Sequence, residues 1–243
     1  MRSARARALA LIAAILIGAA AVAFAVSRSS PGPLLARDAA HRPTLLLLTS
    51  LPLVFGEQFS LDGGGSPALK ALETRYRVVP ISVTDPKDLA RGHLLLMAHP
   101  AAQTAENLVA LDAWVRRGGH VLLLADPLLE WQSSRPLGDP LRPSPMFADT
   151  GLLGHWGLRL DAPEQRGPVT RTLANYVVAT SSPGELHGAC DVSRDRLVAR
   201  CGIGKGEATV VADADLLDVE RLEGPAEHNL DALLAELARL ERK

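Results

Sequence analysis

The chain has 243 residues, of which 47% are hydrophobic and 22% charged, with a formal net charge of −1. Residues 1–28 hold four arginines and no acidic residue, so the remainder carries 22 basic residues (26 less these four) against 27 acidic ones. This acidic balance argues against a nucleic-acid partner and against a basic membrane-surface patch, and it suits one globular domain with an additional segment.

Residues 1–28 are predicted to be an N-terminal membrane anchor or a signal segment. Three arginines precede an uncharged run from Ala8 to Val26, and roughly 20 apolar residues suffice to cross a bilayer core. By the positive-inside rule the N-terminus then lies in the cytoplasm. A cleaved signal peptide ending near Ala23–Ala25 is the alternative. The anchor is favoured, and it predicts a single-pass protein of the bacterial inner membrane with its C-terminal domain in the periplasm.

Residues 29–42 are rich in Pro, Ser and Arg and are predicted to be a linker, whereas residues 43–243 form the α/β domain. The apolar run Thr44–Pro52 does not alternate, which indicates a parallel strand buried on both faces. Ser66 is predicted to cap the next helix, and Thr104 a longer one. Further strands are predicted in RVVPISV, HLLLMAHP and HVLLLADP. The order strand, helix, strand, strand, helix, strand indicates a doubly wound α/β sheet, mostly parallel.

Beyond Pro127 a proline-rich stretch breaks every period and predicts a long surface loop. Trp131 lies in this loop and is interpreted as a contact residue if it is exposed. Short strands are predicted from Thr172 to Cys201. They are followed by a buried strand in EATVVADADLL and by a terminal helix in HNLDALLAELARL, whose leucines form one stripe.

Cys190 and Cys201 are the two cysteines of the chain, and an oxidising compartment favours a disulfide between them. If the segment is a hairpin that turns at Asp195–Arg196, Cys190 faces Cys201, and Val192 faces Ala199 on the same side. A longer loop with the same register is equally acceptable, because Asp-Arg is not a favoured two-residue turn. A metal or redox pair is the alternative, but the spacing is not Cys-x-x-Cys.

Candidate site residues follow the predicted strands, because ligands of open α/β sheets bind outside the carboxyl ends of the strands. The polar residues there include Ser50, His99, Asp126, Asp213 and Asp215. His99 is either a general base or a residue that ends its strand before a proline turn. The second role is favoured, because no serine or cysteine nucleophile stands in a strand-to-helix elbow for it to activate.

The aspartates admit two interpretations. Asp213 and Asp215 leave one strand at alternate positions and could ligate a hard cation together with Asp126. Because one strand supplies at most two ligands, the favoured interpretation is that these carboxylates cap the following turn through backbone N–H groups. No metal and no other cofactor is therefore predicted.

A glycine-rich loop precedes Ser66. Its glycines match neither the dinucleotide fingerprint nor the Walker pattern, so the favoured role is to let a long loop fold back before the helix. The alternative is a ligand site, in which Glu57, Asp62 and the N–H groups of Gly63 and Gly64 face the same crevice as the strand-end aspartates.

A resemblance to a known family is carried by five segments in this order: LLLLTSLPLVFGE, HLLLMAHP, WVRRGGHVLLLADP, VVADADLL and HNLDALLAELARL. Through these segments the chain resembles the periplasmic domain of gliding-type ABC-transporter auxiliary proteins. That domain is similar in fold to class I glutamine amidotransferases but has lost their catalytic residues. The resemblance implies a flavodoxin-like or class I amidotransferase-like sheet. Where a catalytic amidotransferase has a cysteine, this chain reads Ala98-His99-Pro100, which speaks against glutamine hydrolysis.

The favoured function is therefore that of a membrane-anchored, periplasmic, non-catalytic domain. It would bind a ligand or a partner, with ABC-transporter subunits as the partners that the resemblance implies, in a transport or envelope assembly. The alternative is a metal-assisted hydrolase of the same fold, acting through His99, Asp126 and Asp213.

Overall fold

The structure is a computed structural model that describes residues 32–56 and 65–243. The anchor predicted for residues 1–28 lies outside these ranges and stays a prediction, as does the inner-membrane location. Among the helices of the described ranges, none is long and apolar enough to cross a membrane.

A seven-stranded sheet forms the centre of the described chain, in the order β2-β1-β3-β4-β11-β10-β9. The first five strands in this order are parallel, and β10 pairs antiparallel with β11 and with β9. The strand bounds are β1 Thr44–Thr49, β2 Arg77–Pro80, β3 Leu94–Ala98, β4 His120–Leu124, β9 Asp191–Val192, β10 Val198–Ile203 and β11 Gly206–Val211. The predicted α/β class, with a mostly parallel sheet and a C-terminal hairpin, is confirmed.

The leucine runs explain why the sheet is buried on both faces. In β1, Leu45 and Leu47 belong to one hydrophobic core, while Leu46 and Leu48 belong to another. Successive side chains of a strand point to opposite faces, so an unbroken apolar run needs cover on each side.

Helices supply this cover, with bounds α1 Pro67–Glu73, α2 Pro86–Leu89, α3 Ala105–Arg116, α4 Leu152–His155 and α5 Asn229–Glu241. Residues of α1 and α5 pack in the core that contains Leu45, and residues of α3 and α4 pack in the core that contains Leu46. The predicted caps are confirmed, because Ser66 accepts the N–H of Leu69 and Thr104 accepts that of Asn107. The terminal helix is also confirmed.

Two small antiparallel sheets complete the described fold. One pairs β5 (Leu158–Asp161) with β8 (Glu185–Gly188), and the other pairs β6 (Pro168–Leu173) with β7 (Tyr176–Ser181). The sequence predicted short strands from Thr172 onward but not β5. The proline-rich stretch between β4 and α4 contains no helix or strand, as predicted.

The predicted disulfide is present, and Cys190 and Cys201 have their Cα atoms 4.9 Å apart. Val192 faces Ala199, which is the predicted register. The turn is longer than two residues, since Ser193 donates its N–H to the carbonyl of Val198. The hairpin therefore has the longer of the two predicted loops, with the predicted register.

The segment predicted to be a linker is described from residue 32 onward. Arg37 donates its backbone N–H to the carbonyl of Thr74 and forms an ion pair with Glu241, with a distance of 2.9 Å in both cases. Leu34 packs against the core of the sheet. From Leu34 to Arg37 this segment therefore lies on the α/β body.

Candidate functional site

The carboxyl ends of four neighbouring strands meet at one edge of the sheet. Thr49 at the end of β1 pairs with Ala98 of β3, Ala98 with Leu124 of β4, and Leu124 with Val211 of β11. The polar residues that follow these positions are thereby brought to the same edge, as the sequence predicted.

The carboxylate of Asp126 is fully buried and bound to backbone N–H groups. Its Oδ1 accepts from Leu128 at 2.9 Å, and its Oδ2 accepts from Ala214 at 2.8 Å and from Asp215 at 3.4 Å. Both oxygens are therefore occupied by the loops that follow β4 and β11.

The other two aspartates have the same kind of partner. Asp213 accepts the N–H of Leu216 at 2.7 Å and that of Ser181 at 3.2 Å. Asp215 accepts the N–H of Glu130 at 2.8 Å. No group of three or more histidine, cysteine or acidic side chains in the described ranges could hold a metal ion. The geometry is that of caps, the interpretation favoured from the sequence.

The pKa values of all three aspartates are raised above the usual value. Burial raises the pKa of Asp126 to about 6 and that of Asp215 to about 8. Burial also raises the pKa of Asp213 well above its usual value, and the neighbouring charge of Asp126 adds to this. At neutral pH the Asp215 carboxyl is therefore largely protonated, and a protonated carboxyl can donate a hydrogen bond.

His99 occupies a strained position directly after β3. Its φ of 45° is in the left-handed region, which is uncommon for residues other than glycine. The ring is 1% exposed, and Nε2 donates to the carbonyl of Ser144 at 2.8 Å, while burial lowers the pKa. Ser50 donates its hydroxyl to the carbonyl of His99. His99 thus ties the strand end to the long loop, in agreement with its favoured structural role.

A groove runs along this edge of the sheet, which we call the strand-end crevice. It consists of three cavities of about 600, 330 and 240 Å³ that share lining residues with one another. The largest shares Pro52 and Gly56 with the second and shares Gln132, Asp218 and Arg221 with the third.

Only some of the predicted residues line the crevice. Ser50 lies at one end and Asp215 at the other. His99, Asp126 and Asp213 do not line it. The remaining candidates, Glu57, Asp62, Gly63 and Gly64, lie outside the described residues.

Trp131 lies between these two ends and lines the largest of the three cavities. Its side chain is only partly exposed, so its role as a contact residue stays a prediction. Four polar lining residues were not predicted from the sequence: Glu130, Gln132, Asp218 and Arg221. The first two flank Trp131 in the sequence Glu-Trp-Gln, and an aromatic residue with polar neighbours in a proline-rich stretch was the available signal. Nothing local marks the other two, which reach the crevice from the loop after β11.

No family model matches the chain, and no curated protein matches its sequence. Several solved structures are similar. One is a protein of Salmonella typhimurium LT2 described as cytoplasmic, with 11% identity over 81% of this chain and 99% of that one, and a TM-score of 0.53. Another is the exo-β-1,4-mannosidase Op5Man5 of Opitutaceae bacterium strain TAV5, with 14% identity over 82% of this chain and a TM-score of 0.47.

A third is Gan42B, a GH42 β-galactosidase of G. stearothermophilus, with 15% identity over 82% of this chain and a TM-score of 0.47. The chain spans only 36% of the mannosidase and 30% of this galactosidase. At these identities the likeness bears on the fold alone, so neither activity nor location is transferred from these proteins.

The comparisons correct the functional prediction. None of the similar structures named above is an auxiliary domain of an ABC transporter. The prediction of a non-catalytic auxiliary domain of an ABC transporter is therefore wrong, whereas the membrane anchor and the periplasmic location stay predictions, because they depend on residues 1–28. The metal-assisted hydrolase gains no support either, because the aspartates are occupied by backbone N–H groups. The family resemblance itself stays a prediction.

Proposed function

We propose that the α/β domain binds a hydroxyl-rich ligand of carbohydrate type in the strand-end crevice. The observation that carries the proposal is the position of Trp131, which packs against the core on one side and lines the largest of the crevice's three cavities on the other. An indole fixed in this way offers a flat apolar surface, and a sugar ring presents a matching apolar face. Large apolar contact of this kind, with a few placed polar groups, is typical of small-molecule sites.

The polar groups of the crevice suit hydroxyl partners. Gln132 offers both a donor and an acceptor, Asp218 offers acceptors and Arg221 offers donors. Asp215 lies in the adjoining cavity, where its protonated carboxyl is able to donate. Sugar hydroxyls both donate and accept, so a mixed lining fits them better than a lining of one charge.

The position of the crevice supports the same proposal. We propose that the sheet is the doubly wound, flavodoxin-like or class I amidotransferase-like form, because its parallel strands follow the order β2-β1-β3-β4-β11. In that order the topological switch point lies between β1 and β3, where ligands of such folds bind. Ser50 follows β1 at this point and lines the crevice. The left-handed His99 after β3 stands where the resemblance puts the amidotransferase elbow.

The test is a binding titration with a panel of neutral mono- and oligosaccharides. Trp114 and Trp156 are each only 7% exposed, so a fluorescence change on adding a sugar reports mainly on Trp131. We expect at least one sugar to bind, and Trp131→Ala to weaken its binding tenfold or more. Gln132→Ala should weaken it less and leave the melting temperature unchanged. Gln165→Ala, an exposed glutamine that does not line the crevice, is the matched control.

Two results would reject the proposal. One is the absence of binding across the panel at millimolar concentration. The other is binding that both Trp131→Ala and Gln132→Ala leave unchanged, since the ligand would then lie elsewhere.

A further inference from the structure

A second cavity, of about 640 Å³, lies apart from the strand-end crevice and shares no lining residue with its three cavities. It is formed by the turn between β6 and β7, the loop between β9 and β10, strand β10 and helix α5. We call it the arginine pocket, because its lining includes Arg194, Arg200, Arg239 and Arg242.

Two of these arginines are held in fixed positions by one buried carboxylate. Glu236 is 0% exposed and accepts from Arg200 Nε at 2.9 Å and Nη2 at 2.8 Å. Its Oε1 also accepts from Arg239 Nε at 2.8 Å. Burial by itself raises the pKa of Glu236, but the hydrogen bonds and charges of Arg200 and Arg239 lower it below its usual value. The carboxylate is thus ionised and orients two guanidinium groups at the pocket wall.

Both guanidiniums retain donors that the protein does not use. Within residues 32–56 and 65–243, the Nη1 groups of Arg200 and Arg239 have no hydrogen-bond partner. Arg239 Nη2 donates to Thr209 Oγ1 at 2.7 Å and contacts Glu207. A guanidinium has five N–H donors in a planar fork, so these bonds and those to Glu236 occupy only part of them.

The other two arginines add charge that nearby acids do not balance. Arg194 and Arg242 are exposed, and across the described ranges their side chains form no ion pair or hydrogen bond. Asp195 also lines the pocket, but it accepts the N–H of Thr172 at 2.8 Å and the hydroxyl of Ser193 at 2.7 Å. The pocket wall thus holds four arginines and two acidic side chains, and both acids already have partners. A third acid, Glu207, does not line the pocket but forms an ion pair with Arg239.

We propose that the arginine pocket binds a small molecule that carries a phosphate group. Arginine forks bind phosphate in two-point contacts, and a tetrahedral dianion accepts from several forks in different planes. Two anchored and two exposed arginines provide this arrangement. Thr172, Asn175 and Ser193 supply neutral polar groups at the wall for the rest of the ligand. This site is separate from the sugar crevice, because the two share no lining residue and the phosphate group is what the arginines recognise.

The test uses inorganic phosphate and glucose 6-phosphate as probes in calorimetric titrations, with glucose as the uncharged comparison. We expect both phosphates to bind and glucose not to bind at this site. The double variant Arg194→Ala/Arg242→Ala should weaken phosphate binding at least tenfold without changing the melting temperature, because both side chains are exposed. Arg200→Lys keeps the charge but loses the fork, and it should also weaken binding.

Arg166→Ala is the matched control, since Arg166 is exposed and does not line the pocket. It should bind phosphate as the wild type does. Equal losses in the control and the double variant would mean nonspecific charge attraction and would overturn the proposal. So would a wild-type protein that binds neither phosphate at millimolar concentration. Sugar binding that fails while phosphate binding persists would reject only the proposed function of the crevice.

Discussion

The carboxylate of Asp126 accepts the backbone N–H of Ala214 at 2.8 Å, across a separation of 88 residues. Asp126 follows β4 and Ala214 follows β11, so this bond fastens together the loops after two neighbouring parallel strands. Both residues are fully buried. Water therefore cannot replace the bond, and its loss leaves an N–H group unsatisfied.

Asp126→Ala should destabilise the protein by about 3 kcal/mol, because it removes a charged acceptor from several buried N–H groups. Asp213→Ala should cost about 1 kcal/mol or more for the same reason. Thermal and urea unfolding with magnesium, calcium, zinc or a chelator measure both. We expect the free energy of unfolding of the wild type to be the same with each metal and with the chelator. Stabilisation of the wild type by one of these metals that disappears in Asp126→Ala would instead identify a metal site. Asp139→Ala, a partly exposed aspartate in the long loop, is the control.

The pH dependence of stability should reflect the raised carboxyl pKa values. In the folded state the pKa of Asp126 is about 6 and that of Asp215 is about 8, whereas the usual value is 3.8. At a pH between the usual value and these raised values, the folded state therefore binds more protons than the unfolded state. The free energy of unfolding should therefore fall as the pH rises from about 4 to about 8.

Asp215→Asn removes one of these ionisations but keeps an oxygen for the N–H of Glu130. The variant should lose less stability than the wild type between pH 5 and pH 8, and urea unfolding at three pH values measures the difference. Parallel curves for the two proteins would contradict this account. Asp38→Asn, at an exposed position, serves as the comparison.

The disulfide should stabilise the protein by about 2–3 kcal/mol, because it closes a short loop in the unfolded chain. Replacing both Cys190 and Cys201 by alanine, or adding a reductant, should lower the free energy of unfolding by this amount. Labelling of the native, unreduced protein should find no free thiol. Two reactive thiols would show that the bond is absent in solution.

Glu236→Ala should cost about 3 kcal/mol, because breaking a buried ion pair from one side leaves the Arg200 charge without its partner, while Arg239 keeps its ion pair with Glu207. Arg200 and Arg239 are partly exposed, which keeps the cost at the lower end of the range for buried pairs. Thr209→Val removes the hydrogen bond of its hydroxyl to the same carboxylate and the one that it accepts from Arg239 Nη2, and it should cost about 1 kcal/mol. Urea unfolding of the two variants compares the loss of the carboxylate with the loss of the hydroxyl, and equal costs would argue against the ion-pair explanation.

Local features of the fold could be predicted from the sequence because short-range physics determines them. The leucine run of β1 is apolar on both faces, and a strand of that kind must be covered on both sides. Ser66 before a proline at the first helical position marks a helix start. The register of Cys190 and Cys201 follows from the two-residue period of a hairpin. Strand β5 was missed, because the alternation of Leu-Arg-Leu-Asp extends over only four residues and directly follows a short helix, to which the sequence pattern assigns these residues.

The sequence by itself thus determined the element types, most of the sheet and the residues that follow the strands. Only the tertiary structure decided what those residues do. Asp126, Asp213 and His99 look like site residues by position, but their polar atoms bind groups distant in the chain, such as Ala214, Ser181 and Ser144. The crevice and the arginine pocket likewise arise from segments that only folding brings together. Hydrogen bonds and cavities depend on such long-range neighbours, and a one-dimensional pattern carries no information about them.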